Sequence, residues 1–188
     1  MARTARRPTL TTERLVLRPF VPADADAVTA IVSDREIAAN TLSIPHPYER
    51  PMAERWLATQ ADAFERGESV TFAVTGREGG ALLGCVGLMI ERDHLRAEMG
   101  YWMSREWWSR GYGTEASAAV LRHAFEELGL HRVFAHHLTR NPASGRIMQK
   151  IGMRHEGTLR GHVLKWGVHE DLELYGIVRE DYDRMGAG

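Results

Sequence analysis

Trp107-Trp108-Ser109-Arg110-Gly111-Tyr112-Gly113-Thr114-Glu115-Ala116 is the stretch on which the reading of this chain turns. Two glycines one residue apart, with an arginine before them, open a long amphipathic segment from Ala116 to Leu128. Glycine reaches backbone angles closed to other residues and lets a ligand approach the main chain. The first turn of a helix adds unpaired N–H groups and the positive end of a dipole. Such a turn seats a phosphate, and Arg110 would add a cation with a planar donor fork. A Walker-type loop is a poor match, because Thr114-Glu115 follows the second glycine where that motif needs Lys-Ser/Thr. Gly-Tyr-Gly taken alone fits a strand-to-helix turn without a ligand equally well.

Just upstream, Arg96 to Met103 alternates as a strand, with Glu98, Gly100 and Trp102 on one face and Ala97, Met99, Tyr101 and Met103 on the other. Downstream, Val120, Leu121, Ala124, Phe125 and Leu128 share a helix face that Gly129 closes. His131 to Leu138 reads as the next strand. Asn141-Pro142 then opens a short helix in the favoured order of cap and proline, and Gly152 ends it. Met153 to Arg160 and Asp171 to Val178 read as a final pair of strands.

Toward the N-terminus, Leu15 to Pro19 is a short strand stopped by proline, and Pro22-Ala23-Asp24 starts a helix. Pro45, Pro47 and Pro51 make the stretch 40–51 irregular, and a loop of that length in a compact domain is often functional. Met52 to Arg66 suits a second helix. Val70 to Val74 and Leu82 to Ile90 form a hairpin across Arg77-Glu78-Gly79-Gly80. The second of these strands is almost continuously apolar, which predicts burial on both faces with Cys85 as a small core residue. The element order β-α-α-β-β-β-α-β-α-β-β predicts a mixed α/β fold on one sheet.

The composition is that of an ordinary globular domain. A chain of 188 residues with net charge −1 fits one domain and carries no electrostatic footprint for nucleic acid. One cysteine excludes an internal disulfide and fits a reducing compartment. No apolar run approaches a membrane span, and the segment with Arg3, Arg6 and Arg7 lacks the apolar core of a signal peptide. The expectation is a soluble cytoplasmic protein without membrane or nucleic-acid partners, with residues 1–8 as a flexible tail and 9–185 as the folded domain.

Four motifs in order carry a family resemblance. Trp108-Ser-Arg-Gly-Tyr-Gly-Thr-Glu-Ala resembles the acyl-CoA pyrophosphate loop of the GNAT N-acetyltransferases. Glu98-Met-Gly-Tyr-Trp resembles the strand before that loop. Asn141-Pro-Ala-Ser144, with Lys150-Ile-Gly-Met153 and Glu156-Gly157, resembles the second cofactor motif. Leu15-Val-Leu-Arg-Pro and Glu170-Asp171-Leu with Tyr175 resemble the first and last strands. Within the superfamily the chain is most similar to the RimJ/RimL-like branch, which shares a tryptophan at the position of Trp108.

The resemblance implies a single GNAT-type domain, a mostly antiparallel central sheet with splayed central strands and helices on both faces. It implies that acetyl-CoA is the co-substrate and that a primary amine accepts the acetyl group by direct transfer. The preferred acceptor is a protein or peptide N-terminal α-amine. A polyamine, amino acid or aminoglycoside acceptor, or a non-catalytic acyl-CoA-binding module, are the alternatives. Arg110, Gly111, Tyr112, Gly113 and Thr114 would cradle the pyrophosphate, and the backbone near Trp102 and Met103 would hold the pantetheine arm. Arg146 and Lys150 would reach the adenosine phosphates or simply be solvated. Asn141 would cap its helix, contact the pantetheine, or both, and Ser144 would be a first-turn serine or a donor to the leaving sulfur. Acceptor selection is expected at 40–51 and at the turn around 161–169.

Acetyl transfer needs an amine with a free lone pair. An α-amine titrates near 7.7–8.0 and a lysine near 10.4, a gap of about 3.4 kcal/mol, so an N-terminal acceptor needs far less help from a base. Glu98, beside the expected thioester, is the first choice of base, acting through water; a structural glutamate paired with a cation is the plainer alternative. Glu115 suits the helix dipole, and Asp171 suits a structural role. His131, His136 and His137 cluster in sequence, but adjacent strand residues point to opposite faces, and no metal site is expected. His162 is a further candidate for the substrate mouth.

Overall fold

The computed structural model describes residues 6–186. Most of the tail expected over 1–8 therefore lies outside the described residues; 6–8 form no regular element. Eight strands make one sheet: β1 (Leu10–Thr11), β2 (Leu15–Pro19), β3 (Ser69–Gly76), β4 (Leu82–Glu91), β5 (Arg96–Met103), β6 (Arg132–Leu138), β7 (Arg154–Lys165) and β8 (Val168–Val178). Their spatial order is β1-β2-β3-β4-β5-β6-β8-β7. Every neighbouring pair is antiparallel except β5 and β6, which run parallel. Six helices complete the domain: α1 (Ala25–Val32), α2 (Arg35–Asn40), α3 (Arg50–Glu65), α4 (Tyr112–Glu126), α5 (Pro142–Lys150) and α6 (Arg179–Gly186). Among the described residues no helix is long and apolar enough to cross a membrane.

Strand alternation divides the core in two. Val70, Phe72 and Val74 of β3 and Val86 and Leu88 of β4 face α4, joined by Met148 of α5. Ala73 and Cys85 face the other way, against Val28 and Val32 of α1 and Ala53 and Leu57 of α3. Both central strands are thus buried on both faces, as the apolar run of β4 predicts. Burial pushes the Cys85 thiol well above its ordinary value, which leaves it an inert core group.

Several boundaries differ from the sequence expectation. The helix expected from Ala116 begins at Tyr112, with Gly111 in the left-handed region (φ +82°) as its N-cap. The second glycine of the motif therefore lies inside the helix. The final strands run on to Lys165 and begin again at Val168, so the turn expected around 161–169 shrinks to Trp166-Gly167. In their outer part Leu164, Trp166 and Val168 are exposed while Lys165 is buried, so no apolar alternation marks it. Helix α2 is a short element with its N-cap Asp34 accepting from Glu36 N–H at 2.8 Å. Helix α6 is polar overall, and its Tyr182 stacks on Phe125 at 4.6 Å.

One ion pair ties β2 to the N-cap of α1. Arg18 donates to both carboxylate oxygens of Asp24 at 2.7 and 2.8 Å, and Val21 N–H donates to the same group at 2.9 Å. Burial alone would raise the Asp24 carboxyl, but the Arg18 and Val21 hydrogen bonds outweigh it and hold it below its ordinary 3.8. Asp24→Ala strands a half-buried guanidinium and is expected to cost about 3 kcal/mol in chemical denaturation. The sign of the pH effect follows from the lowered value. The pair stabilises fully above pH 3.8 and is lost as pH falls through the folded-state value below it. Acid titration of the wild type and Asp24→Asn, followed by circular dichroism, should show a shallower loss in the variant.

Candidate active site

Strands β5 and β6 pair only from Arg96 to Glu98 on one side and from Arg132 to Phe134 on the other. Beyond Phe134, β6 stays on β8 as far as Leu138, while β5 stays on β4 as far as Met103. The two strands part because each follows its antiparallel neighbour, and the sheet opens into a fork.

The register fixes which peptide groups face the fork. Ser104 N–H donates to Leu83 O at 2.8 Å, and Cys85 lies opposite Trp102. Glu98, Gly100 and Trp102 therefore turn their N–H and C=O toward β4, while Met99, Tyr101 and Met103 turn theirs toward β6. The Trp102 backbone, expected to hold the pantetheine arm, is engaged on β4, and the peptide groups that face the fork are those of Tyr101 and Met103. The Met103 carbonyl accepts from Trp108 Nε1 at 2.7 Å, which leaves its N–H for the fork. The same bond gives Trp108 a function: it pins the glycine-rich turn to the end of β5.

Two cavities open onto the fork. The smaller, about 260 Å³, is lined by Met103, Trp108, Ser109, Gly111, Gly113 and Thr114 on one side and by Asn141, Ser144, Arg146 and Lys150 on the other. After Trp108 the first paired backbone N–H is that of Glu115, on Gly111 O at 3.0 Å. Among the described residues the N–H groups from Ser109 to Thr114 have no acceptor within the chain, a run of donors at a helix N-terminus suited to an anion. Gly113 packs where a Cβ would lie 3.0 Å from Ile147 of α5, so its small size brings α4 against α5.

Two residues of the expected cradle do not line this cavity with their side chains. The Arg110 guanidinium lies over the Trp107 ring at 5.1 Å, and the Tyr112 ring packs edge-on against Trp107 at 5.5 Å. Arg14 holds the turn from behind. It donates to Arg110 O at 3.1 Å and to Glu115 at 2.6 Å, and Thr12 donates to the same carboxylate at 2.6 Å. Glu115 therefore does more than complement the helix dipole. It anchors the glycine-rich turn to the β1–β2 corner. Burial would raise its carboxyl, but the Thr12 and Arg14 hydrogen bonds lower it.

Asn141 occupies the N-cap position of α5 but makes no side-chain cap bond, so the expected capping contact is not formed and its amide is left toward the smaller cavity. Ser144 meets Tyr101: the phenol oxygen lies 2.9 Å from Ser144 Oγ and 3.0 Å from Ser144 O. Burial pushes the Tyr101 phenol well above its ordinary 10, so it remains a neutral donor. Tyr101 went unmarked in the sequence as a site residue. Its place on the strand face shared with Met103 was the available signal.

The larger cavity, about 870 Å³, lies on the α1/α3 side. Glu98 and His136 form its wall where the strands part, with His136 Nδ1 3.4 Å from Glu98 Oε1. His137 points to the opposite face, against Gly145 of α5 and the Tyr175 ring, as alternation requires. Tyr101, Trp102 and Ser144 line both cavities, as do Asn40 and Thr41. The irregular stretch after Asn40 is thus the roof where the two spaces meet. Lys165 donates to Thr41 O at 2.7 Å, and Arg140 donates to Ala39 O at 2.6 Å while gripping Glu170. These latches join residues a hundred or more positions apart and left no local signal. His162 is exposed on β7 and lines neither cavity. Asp171 accepts from Gly161 N–H at 2.6 Å, the structural role expected of it.

Comparison with known proteins agrees with this geometry. The family described as "Acetyltransferase (GNAT) domain" matches residues 14–154. The chain is 31% identical over 173 residues to the uncharacterized N-acetyltransferase YoaA of Bacillus subtilis, covering 92% of this chain and 97% of that protein. It is 25% identical over 179 residues to the putative ribosomal N-acetyltransferase YdaF of the same organism, covering 91% and 94%. The crystal structure of a GNAT-family acetyltransferase from Bacillus anthracis superposes with a TM-score of 0.83 at 25% identity, over 92% of this chain and 99% of that one. The splayed strands, the unpaired amide run and these matches together make the chain a member of the GNAT family, an acetyl-CoA-dependent N-acetyltransferase.

Proposed function

We propose that the chain transfers the acetyl group of acetyl-CoA directly to the α-amine at the N-terminus of a protein or peptide. The observation that carries this reading is the fork: a donor-lined cavity and a larger open one meet at Tyr101, Trp102 and Ser144. In it, the N–H groups of Ser109 to Thr114 bind the diphosphate, with Arg146 and Lys150 beside the remaining phosphate charge. The free edge of β5 at Tyr101 and Met103 aligns the thioester arm, and an N–H there polarises the carbonyl. The amine enters from the larger cavity, loses its proton toward Glu98 through water and attacks the carbonyl carbon. The sulfur leaves as the C–S bond breaks, and Ser144, backed by Tyr101, supplies the proton it takes.

The lining of the larger cavity favours such an acceptor over a polyamine or aminoglycoside. Glu98 is the one carboxylate among its lining residues. A polycation needs several. The likeness to YdaF points the same way. The direct test is thiol release from acetyl-CoA against N-terminal peptides, polyamines, amino acids and aminoglycosides. Turnover confined to spermidine-like acceptors would refute the peptide reading.

The base makes its own prediction. Glu98→Gln is expected to lower kcat/KM on the order of 100-fold while coenzyme A affinity measured by calorimetry stays unchanged. Turnover equal to the wild type would remove Glu98 from the proton path.

A further inference from the structure

The lining of the larger cavity carries charge on two separate elements, β5 and α3, and only one is used by the chemistry above. Glu98 and His136 stand at the fork. The remaining permanent charge in the lining is Arg55, on the face of α3 that also presents Met52 and Trp56. Val28 and Val32 of α1 and Ile44 of the roof give the same lining its apolar part.

Arg55 differs from its neighbour in having no internal partner. Arg50, one turn earlier, takes Glu54 at 3.0 Å and Asp26 at 3.3 Å. Among the described residues Arg55 forms no ion pair or hydrogen bond, although Glu54 is adjacent in sequence. It lies near enough to Tyr48 for its charge to counter the upward push that burial gives that phenol. Tyr48 lines the cavity and is held by Ser33 Oγ–H on its carbonyl at 3.1 Å. Arg55 is exposed to solvent where it lines the cavity, and its donor fork has no partner among the described residues, so a carboxylate in the cavity can take it.

Taking the transfer reading as its basis, we propose that the acceptor is an amine that also carries a carboxylate, the two separated by an apolar body. The amine lies at Glu98 and His136, the body against Trp56 and the α1 valines, and the carboxylate on Arg55. An acidic side chain a few residues into a peptide supplies that group. So does the α-carboxylate of a free apolar amino acid or short peptide, and the arms of the test separate these sources.

The test compares kcat/KM for peptides of one N-terminal residue carrying aspartate, asparagine or lysine at positions two to four. Free leucine, free phenylalanine and spermidine form the small-molecule arms. The aspartate peptides are expected to exceed their asparagine counterparts by about tenfold, the scale of one charge-assisted hydrogen bond. Arg55→Gln should bring that ratio close to one, Arg55→Lys should restore part of it, and Arg55→Glu should turn the preference toward lysine. High salt should shrink the ratio in the wild type. Calorimetric titration of the same peptides into the coenzyme A complex reads the selectivity without turnover. A protein that binds acidic peptides through Arg55 but acetylates nothing would sink the transfer reading while supporting the charge assignment. Equal handling of aspartate and asparagine peptides, or a preference that survives Arg55→Gln, would overturn the assignment itself. Activity on the free amino acids alone would assign the carboxylate to a small molecule.

Discussion

Replacing Gly111 by glutamate is expected to weaken coenzyme A binding by at least about 100-fold while leaving the fold largely in place. Two effects add. Gly111 has φ +82° and starts α4 as its N-cap, a conformation that costs a side-chain-bearing residue about 1–2 kcal/mol. A Cβ there would also lie 3.3 Å from Arg14 Nη2, so the new carboxylate competes with Glu115 for the arginine that braces the turn. The larger effect is electrostatic. A negative charge beside the unpaired N–H groups repels a diphosphate by about 4 kcal/mol per unit charge at 4 Å in a partly screened site. Each 1.4 kcal/mol is tenfold in affinity, so even a part of that repulsion reaches the stated loss. Isothermal titration with coenzyme A measures it, and thermal melting reports the fold. Unchanged affinity in a folded variant would mean that the diphosphate does not sit on this turn.

The second large effect concerns the leaving group. Ser144→Ala is expected to lower kcat on the order of 100-fold with little change in coenzyme A affinity, because the hydroxyl acts only when sulfur gathers charge. Tyr101 shares the task. Its O–H reaches both the Oγ and the carbonyl of Ser144. In the setting where it donates to Oγ, the Ser144 proton is free to turn to the sulfur. Tyr101→Phe should therefore also reduce kcat, and the double variant should lose little beyond the worse of the two. Groups acting as one unit are non-additive in this way. Additive losses would separate the two residues. A pure rise in the KM for acetyl-CoA would make Ser144 a binding residue only.

The fold was legible where local rules govern. Proline at 19, the alternation of 96–103 and the glycines at 111, 129 and 152 mark element ends in the sequence, and each takes the kind of position its chemistry requires. Helix α6 was not legible because it is polar, and the outer half of the β7–β8 hairpin because its apolar Leu164, Trp166 and Val168 are exposed and mark no core face. Both gain their order from long-range ties, Arg179 to the Phe125 carbonyl and Lys165 to the Thr41 carbonyl. In the site, Gly111, Gly113 and Ser144 were marked by motif. Arg14, Tyr101, His136 and Arg140 were not. Each matters through a partner that only folding brings near.

By itself the sequence determined most of the order of strands and helices, the family and the glycine-rich turn ahead of α4, since spacing, glycine and helix ends are local properties. Only the tertiary structure decided which peptide groups of β5 are free and that Trp102 is not among them. It also decided that Tyr101 stands behind Ser144, and that Glu98 and Arg55 line one and the same cavity. Hydrogen-bond direction along a strand depends on register with its neighbours, and the charge balance of a cavity depends on walls drawn from distant segments. Neither is written in the residues taken one after another.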